Sequence, residues 1–178
     1  KDYGHDIASF QEEKLLKEFN EWAQPDWSGA TWPPNIVSVR LWDYVGGYSV
    51  EFSPGMYSDP DFSMKLWMAG VRYFKGVSQS RAYHFGSKSV GRVKRNKGYN
   101  QFIQKWGFTS SLLTKHMLHR GEDWNGPLPE FIMPTKLKWK NKINRAIALI
   151  KSSSWHSFAS PSTIMIFFSV AATTPTPW

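Results

Sequence analysis

The stretch Ser58-Asp59-Pro60-Asp61-Phe62-Ser63-Met64-Lys65-Leu66-Trp67-Met68-Ala69-Gly70 sets the frame for the whole chain. Pro60 stands at or near a first helical position, where its missing N–H is not needed. Asp59 and Asp61 fall in the first turn, at the positive end of a helix dipole. An apolar run follows, and Gly70 stands just past its end, so residues 62–69 are expected to be helical. Downstream, Val71–Lys75 and Arg81–His84 have strand composition. Gly86 to Gly98 is a basic loop. Tyr99 to Leu118 reads as one long helix with Phe102, Ile103, Trp106, Leu112, Leu113 and Met117 inward and Gly121 ending it. Upstream, Ile36–Val39 is a short strand candidate, and residues 24–34 are a loop rich in Pro and Gly. Ser9-Phe10-Gln11-Glu12 has the pattern of a capping box. It opens an expected helix over 9–23, with Leu15, Leu16, Phe19, Trp22 and Ala23 at helical spacing, and Pro25 ends it. Strands and helices mix, so the class is α/β or α+β, and periodicity alone leaves the topology open.

Charge divides the chain unevenly. Its 178 residues carry a formal net charge of +8 and no cysteine. Residues 1–61 hold 4 Lys/Arg and 11 Asp/Glu, whereas residues 62–121 hold 12 Lys/Arg and no carboxylate. The absence of Cys excludes a disulfide framework, a zinc–thiolate site and a Cys nucleophile. A content of 41% hydrophobic and 16% aromatic residues excludes wholesale disorder and suits one domain, or part of a larger one.

The chain opens on Lys1 and its first methionine is Met56. It is therefore expected to continue a longer or processed product, and Lys1–Asp6 has no apolar segment of the kind a signal peptide needs. From Ser152 to Trp178 there is no charged side chain. Ile164–Ala172 is apolar but only about half a membrane span. It follows a basic stretch, Leu137–Lys151, with helical apolar spacing. The pair reads either as a membrane-surface segment or as a loosely structured tail, or as an altered reading frame. The expected division is residues 1–130 as one unit and 131–178 as a basic helix with an uncharged tail.

Several consecutive features resemble a known family. Leu41-Trp42-Asp43-Tyr44-Val45-Gly46-Gly47-Tyr48, then Phe52 to Phe62, then Lys65-Leu66 and Ala69-Gly70 resemble the second half of family 2 glycosyltransferases of the GT-A fold. That family shows a Gly-Gly-aromatic turn, about a dozen residues, an acidic helix start, then a Gly and a strand. Tyr83-His84-Phe85-Gly86-Ser87-Lys88-Ser89 resembles its segment with a His and a small-residue loop, and Trp32-Pro33-Pro34 fits one branch. The resemblance covers roughly residues 1–130. It implies an α/β fold, the C-terminal half of a Rossmann-like catalytic domain. The family's nucleotide-binding half, which ends in a metal-binding Asp-x-Asp, has no counterpart here, and the family's usual Glu before the Asp is Ser58.

The resemblance implies inverting transfer of a sugar from a nucleotide-sugar to a carbohydrate or glycolipid acceptor, as in polysaccharide biosynthesis. It makes Asp59 the general base that takes the acceptor's proton. A helix N-terminus should favour its ionised form, although Asp before Pro is also an ordinary cap. Asp61 would orient the helix or the acceptor. His84 would complete a Mg²⁺ or Mn²⁺ site whose main ligands lie upstream, or contact the diphosphate; a lone His is also commonly structural. Trp27 and Trp32, in a loop, would line the acceptor site by stacking on sugar rings, whereas Trp22, Trp67 and Trp106 belong to apolar faces. Lys88, Ser89 and Arg92 lie in a basic loop whose open backbone N–H groups suit a diphosphate. That loop also has a nucleic-acid reading, because Tyr99, Phe102 and Trp106 follow it, and a plain solvated one.

Asp59-Pro60-Asp61 is itself an Asp-x-Asp and has a metal-site reading, but it opens a helix instead of ending an apolar strand. A facing glycosidase pair is disfavoured, because residues two apart point to different sides. The expected location is cytoplasmic or at a membrane surface. The competing class is a non-catalytic basic module that binds nucleic acid or an anionic membrane, with affinity that falls steeply in salt.

Overall fold

The computed structural model describes residues 2–22, 24–29, 32–53, 56–85 and 97–153, without the side chains of Trp22, Ser152 and Ser153. It is a mixed arrangement of helices around one small antiparallel sheet. In chain order the elements are α1 (Glu12–Glu18), a 3₁₀ turn (Phe19–Trp22), β1 (Trp27–Ser28) and α2 (Val39–Val45). A second 3₁₀ turn (Val50–Phe52), α3 (Ser58–Met68), β2 (Lys75–Gly76) and α4 (Gly98–Trp106) follow. The described chain closes with α5 (Ser110–Leu112), a π turn (Leu113–Met117) and α6 (Thr135–Ser153). The uncharged tail expected after residue 153 lies outside the described residues.

The central helix is α3, and its sequence signals work as expected at both ends. It begins earlier than residue 62, with Asp59 and Asp61 both in the first turn. It ends in a Schellman motif: the Gly70 N–H donates to the Trp67 carbonyl at 3.0 Å and the Val71 N–H to the Leu66 carbonyl at 3.0 Å. Gly70 supplies the required left-handed φ of 86°. Phe62, Met64, Leu66 and Trp67 are buried in a core shared with Phe52, Phe74, Phe102, Leu113 and Leu118. Each such side chain contributes on the order of 1.5–3 kcal/mol.

Four expected elements differ in detail. Ile36–Val39 forms no strand; instead Ser38 caps a helix, its Oγ accepting from the Leu41 N–H at 3.2 Å, and α2 turns Leu41 and Val45 onto the core. The run 71–75 contributes only Lys75 to the sheet, because the Val71 N–H is already bonded to the end of α3. Arg81–His84 makes no ladder. It is held by side chains: the Tyr83 hydroxyl accepts from the Tyr3 N–H and donates to the Gly4 carbonyl, both at 2.8 Å. The long helix from Tyr99 to Leu118 is broken at Gly107, which takes a φ of 79°. Thr109 then caps α5, and across the bend Phe102, Ile103, Leu112, Leu113 and Met117 are buried while Trp106 is partly buried.

The expected capping box at the first helix also takes another form. Ser9 Oγ accepts from the His5 and Asp6 N–H groups and donates to Asp6 Oδ1 at 2.6 Å. It thus closes a turn ahead of the helix, and α1 starts at Glu12 without a side-chain cap. No residue of α1 is fully buried, and Leu16 is exposed.

β1 and β2 pair antiparallel with Trp27 opposite Gly76 and Ser28 opposite Lys75. The Trp27 ring lies over Gly76 so closely that a Cβ there would come within 2.0 Å of it. Gly76→Ala should therefore expel the indole and destabilise the fold by about 1–3 kcal/mol, read as a lower urea midpoint with the slope unchanged. Beside this pair, Asp26 accepts from Lys75 Nζ at 2.7 Å and from the Ser78 N–H at 2.8 Å. Lys75 first, and then Ser78, holds the Asp26 carboxyl down at about 2. A carboxyl lowered in the folded state stabilises above its unfolded value, about 3.9, and that gain is lost as pH falls through the folded value. Asp26→Asn should flatten the fall in thermal stability between about pH 4 and pH 2; an unchanged pH profile would overturn this assignment.

Candidate functional site

The site is built at the start of α3 by a turn that follows α2. Gly46 and Gly47 adopt left-handed φ values of 69° and 55°. A Cβ on Gly47 would meet the Trp42 ring at 2.6 Å, so only glycine lets the chain fold back over that indole. The reversal lays Tyr48 against Trp42 and Phe62, with ring centroids 5.5 and 5.0 Å apart. The Tyr48 hydroxyl then accepts from Asn35 Nδ2 at 3.3 Å and comes close enough to the Asp59 carboxyl for each to shift the other's titration.

Asp59 is half-buried in the first turn of α3. Burial pushes its carboxyl above the ordinary value, and the nearby Tyr48 hydroxyl opposes this only in part. This corrects the expectation that the helix end favours its ionised form: desolvation outweighs the dipole here. The Tyr48 phenol is raised too, by burial and then by the neighbouring Asp59 charge.

Asp61 has different surroundings. It is fully buried. Its Oδ1 accepts from the Trp106 indole N–H at 2.8 Å and pairs with Lys105 Nζ at 2.9 Å, while its Oδ2 accepts from Ser49 Oγ at 2.6 Å. Lys105 also pairs with Glu51 at 2.7 Å. Burial works against the Lys105 ammonium, but its bonds to Glu51 and Asp61 win and hold its pKa up. Of the two roles expected for Asp61, orienting the helix is the one this geometry supports, since its carboxylate has no surface to offer an acceptor.

Two concave surfaces flank the start of α3. One, of about 300 Å³, is lined by Trp32, Pro60, Ser110, Ser111, Thr114, Lys115 and Arg120. The other, of about 570 Å³, is lined by residues 33–37, Val39, Trp42, Tyr48 and Phe62. The segment Trp32-Pro33-Pro34-Asn35, whose Pro33–Pro34 bond is cis, contributes to both. The Arg120 guanidinium sits 3.7 Å over the Trp32 ring.

The expected site residues therefore separate. Trp32 and Asp59 belong to one neighbourhood, the first through the wall it shares with Pro60. Trp27 is engaged in the sheet with Gly76 and in a bridge to Asp123. His84 is exposed. Lys88, Ser89 and Arg92 lie outside the described residues. Among the described residues no group of three or more His, Asp and Glu could hold a metal ion. Trp67 is buried and Trp106 packs against the core, as expected of apolar-face residues.

Comparison with protein families, curated proteins and solved structures found no match for this chain. Its chemistry is therefore argued from the geometry. A carboxyl of raised proton affinity, next in the chain to a residue that lines a concave surface, is suited to take a proton from a bound hydroxyl. Tyr48, Asn35 and Arg120 were not singled out from sequence. For Tyr48 the signal was present, since it is the aromatic residue of the Gly-Gly turn. Asn35 and Arg120 carry no local signal.

Proposed function

We propose that the chain is the acceptor-side part of a glycosyltransferase that works with inversion, and that Asp59 is its general base. The observation that carries this reading is the environment of Asp59: a half-buried carboxyl, raised by desolvation, where the resemblance places the base. A base with a value raised towards the working pH transfers protons more effectively than an ordinary carboxylate. The acceptor sugar stacks on Trp32 and lies along the surface that Pro60, Ser110, Ser111 and Thr114 line. Asp61, through Lys105 and Trp106, fixes the helix that carries Asp59.

In this reading the nucleotide-sugar and a Mg²⁺ or Mn²⁺ ion are bound mainly by a nucleotide-binding half upstream of Lys1. His84 and the basic residues Lys88 and Arg92, with Ser89, would supply contacts to the diphosphate. The metal would neutralise charge on the departing nucleoside diphosphate. The test joins the chain to its upstream coding sequence and measures transfer from UDP-, GDP- and dTDP-sugars. Loss of transfer in Asp59→Asn with donor binding retained supports the reading; unchanged transfer removes it.

A further inference from the structure

Helix α6 has two opposite faces with opposite fates. On one, Leu137 packs against the core, Asn141 donates to Met133 Sδ at 3.3 Å, and Ala148 is buried while its carbonyl accepts from Gln104 Nε2 at 3.1 Å. The helix is thus fully docked on α4 by that face. On the other, Trp139, Ile143 and Ile147 recur every four residues and form one stripe. They are 64%, 58% and 44% exposed. A row of large apolar side chains this exposed marks a contact surface.

The charges around the stripe identify its occupant. Lys136, Lys138, Lys140, Lys142 and Arg145 stand on the same helix, and no Asp or Glu occurs anywhere after Glu130. Lys142 lies 5.1 Å over the Trp139 ring, with its stem along the stripe. A second copy of the helix would bring like charges together. A nucleic acid would meet the lysines but leave Trp139 and the isoleucines uncovered. An anionic lipid surface satisfies both, with headgroups on the lysines and the acyl boundary beneath the stripe. The chain beyond α6 carries no charged side chain that would oppose this. Among the described residues no helix is long and apolar enough to cross a membrane, so α6 would lie in the interface plane.

We propose that α6 docks the protein on anionic phospholipid through Trp139, Ile143 and Ile147, independently of its catalytic reading. The test sediments the full chain with vesicles of phosphatidylcholine and phosphatidylserine in a roughly 7:3 ratio, and with pure phosphatidylcholine. Binding to the mixed vesicles alone is expected. Ile143→Ser with Ile147→Ser should lower partitioning at least roughly tenfold, and Lys138→Gln with Lys140→Gln roughly 30-fold. All four positions are exposed, so thermal unfolding should not move. Absence of binding to the mixed vesicles overturns the proposal. So does equal binding by the isoleucine variant, which would leave charge alone. A dimer dissolved by that variant overturns it in favour of a second copy, and duplex DNA binding lost with the same isoleucines overturns it in favour of nucleic acid.

Discussion

Asp59→Asn is expected to lower sugar transfer by roughly 10²–10⁴-fold, the usual contribution of a positioned base, and to leave the protein at least as stable as wild type at pH 7. The second half of that expectation follows from the sign of the shift. The Asp59 carboxyl is raised in the folded state by burial. Its contribution is therefore fully present below the unfolded value, about 3.9, and is lost as pH rises through the folded value. At neutral pH the ionised group is a net cost, which the neutral amide removes. Transfer rates and melting temperatures at pH 7 check both halves. A variant that loses activity together with its melting temperature would show that Asp59 serves the fold, not the chemistry.

Asp61→Ala is expected to cost about 3–5 kcal/mol, because it breaks a buried charged network and leaves the partners uncompensated. The Trp106 indole N–H and Ser49 Oγ lose their acceptor, and Lys105 is left with Ser49 and Glu51 as its hydrogen-bond partners among the described residues. Against a typical total of about 5–15 kcal/mol this is a large share. Asp61→Asn should cost less, since an amide oxygen can still accept from Trp106. Urea unfolding of the two variants beside Lys105→Met resolves the network, and strong non-additivity of Asp61→Ala with Lys105→Met is expected. Equal, small losses for all three would mean that the cluster is loosely held.

The local signals were the legible part of this fold. Pro60, the paired carboxylates and Gly70 mark α3 because they act on orphan backbone groups within a few residues of themselves. The inward set Phe102, Ile103, Leu112, Leu113 and Met117 is legible for the same reason, although Gly107 divides the helix that carries it. Ile36–Val39 misled because its β-branched residues suggest a strand, while Ser38 offers a cap that the backbone takes instead. The site was legible only where a motif marks it. Asp59 stands in such a pattern, but its raised carboxyl depends on burial that only the folded chain supplies. Two of the three side chains that hold Asp61, Lys105 and Trp106, lie 44 and 45 positions away, and no short window of sequence contains them.

The contrast between two carboxylates only two residues apart has a consequence for populations of variants. Position 61 is enclosed by the fold and position 59 by the fold's surface. In a pooled library, substitutions at Asp61 should disappear from the soluble fraction whether or not the product of the reaction is needed. Those at Asp59 should remain abundant and be depleted only when growth depends on that product. A single turn of helix would then carry two adjacent marks of selection, one on how much protein exists and one on what it does.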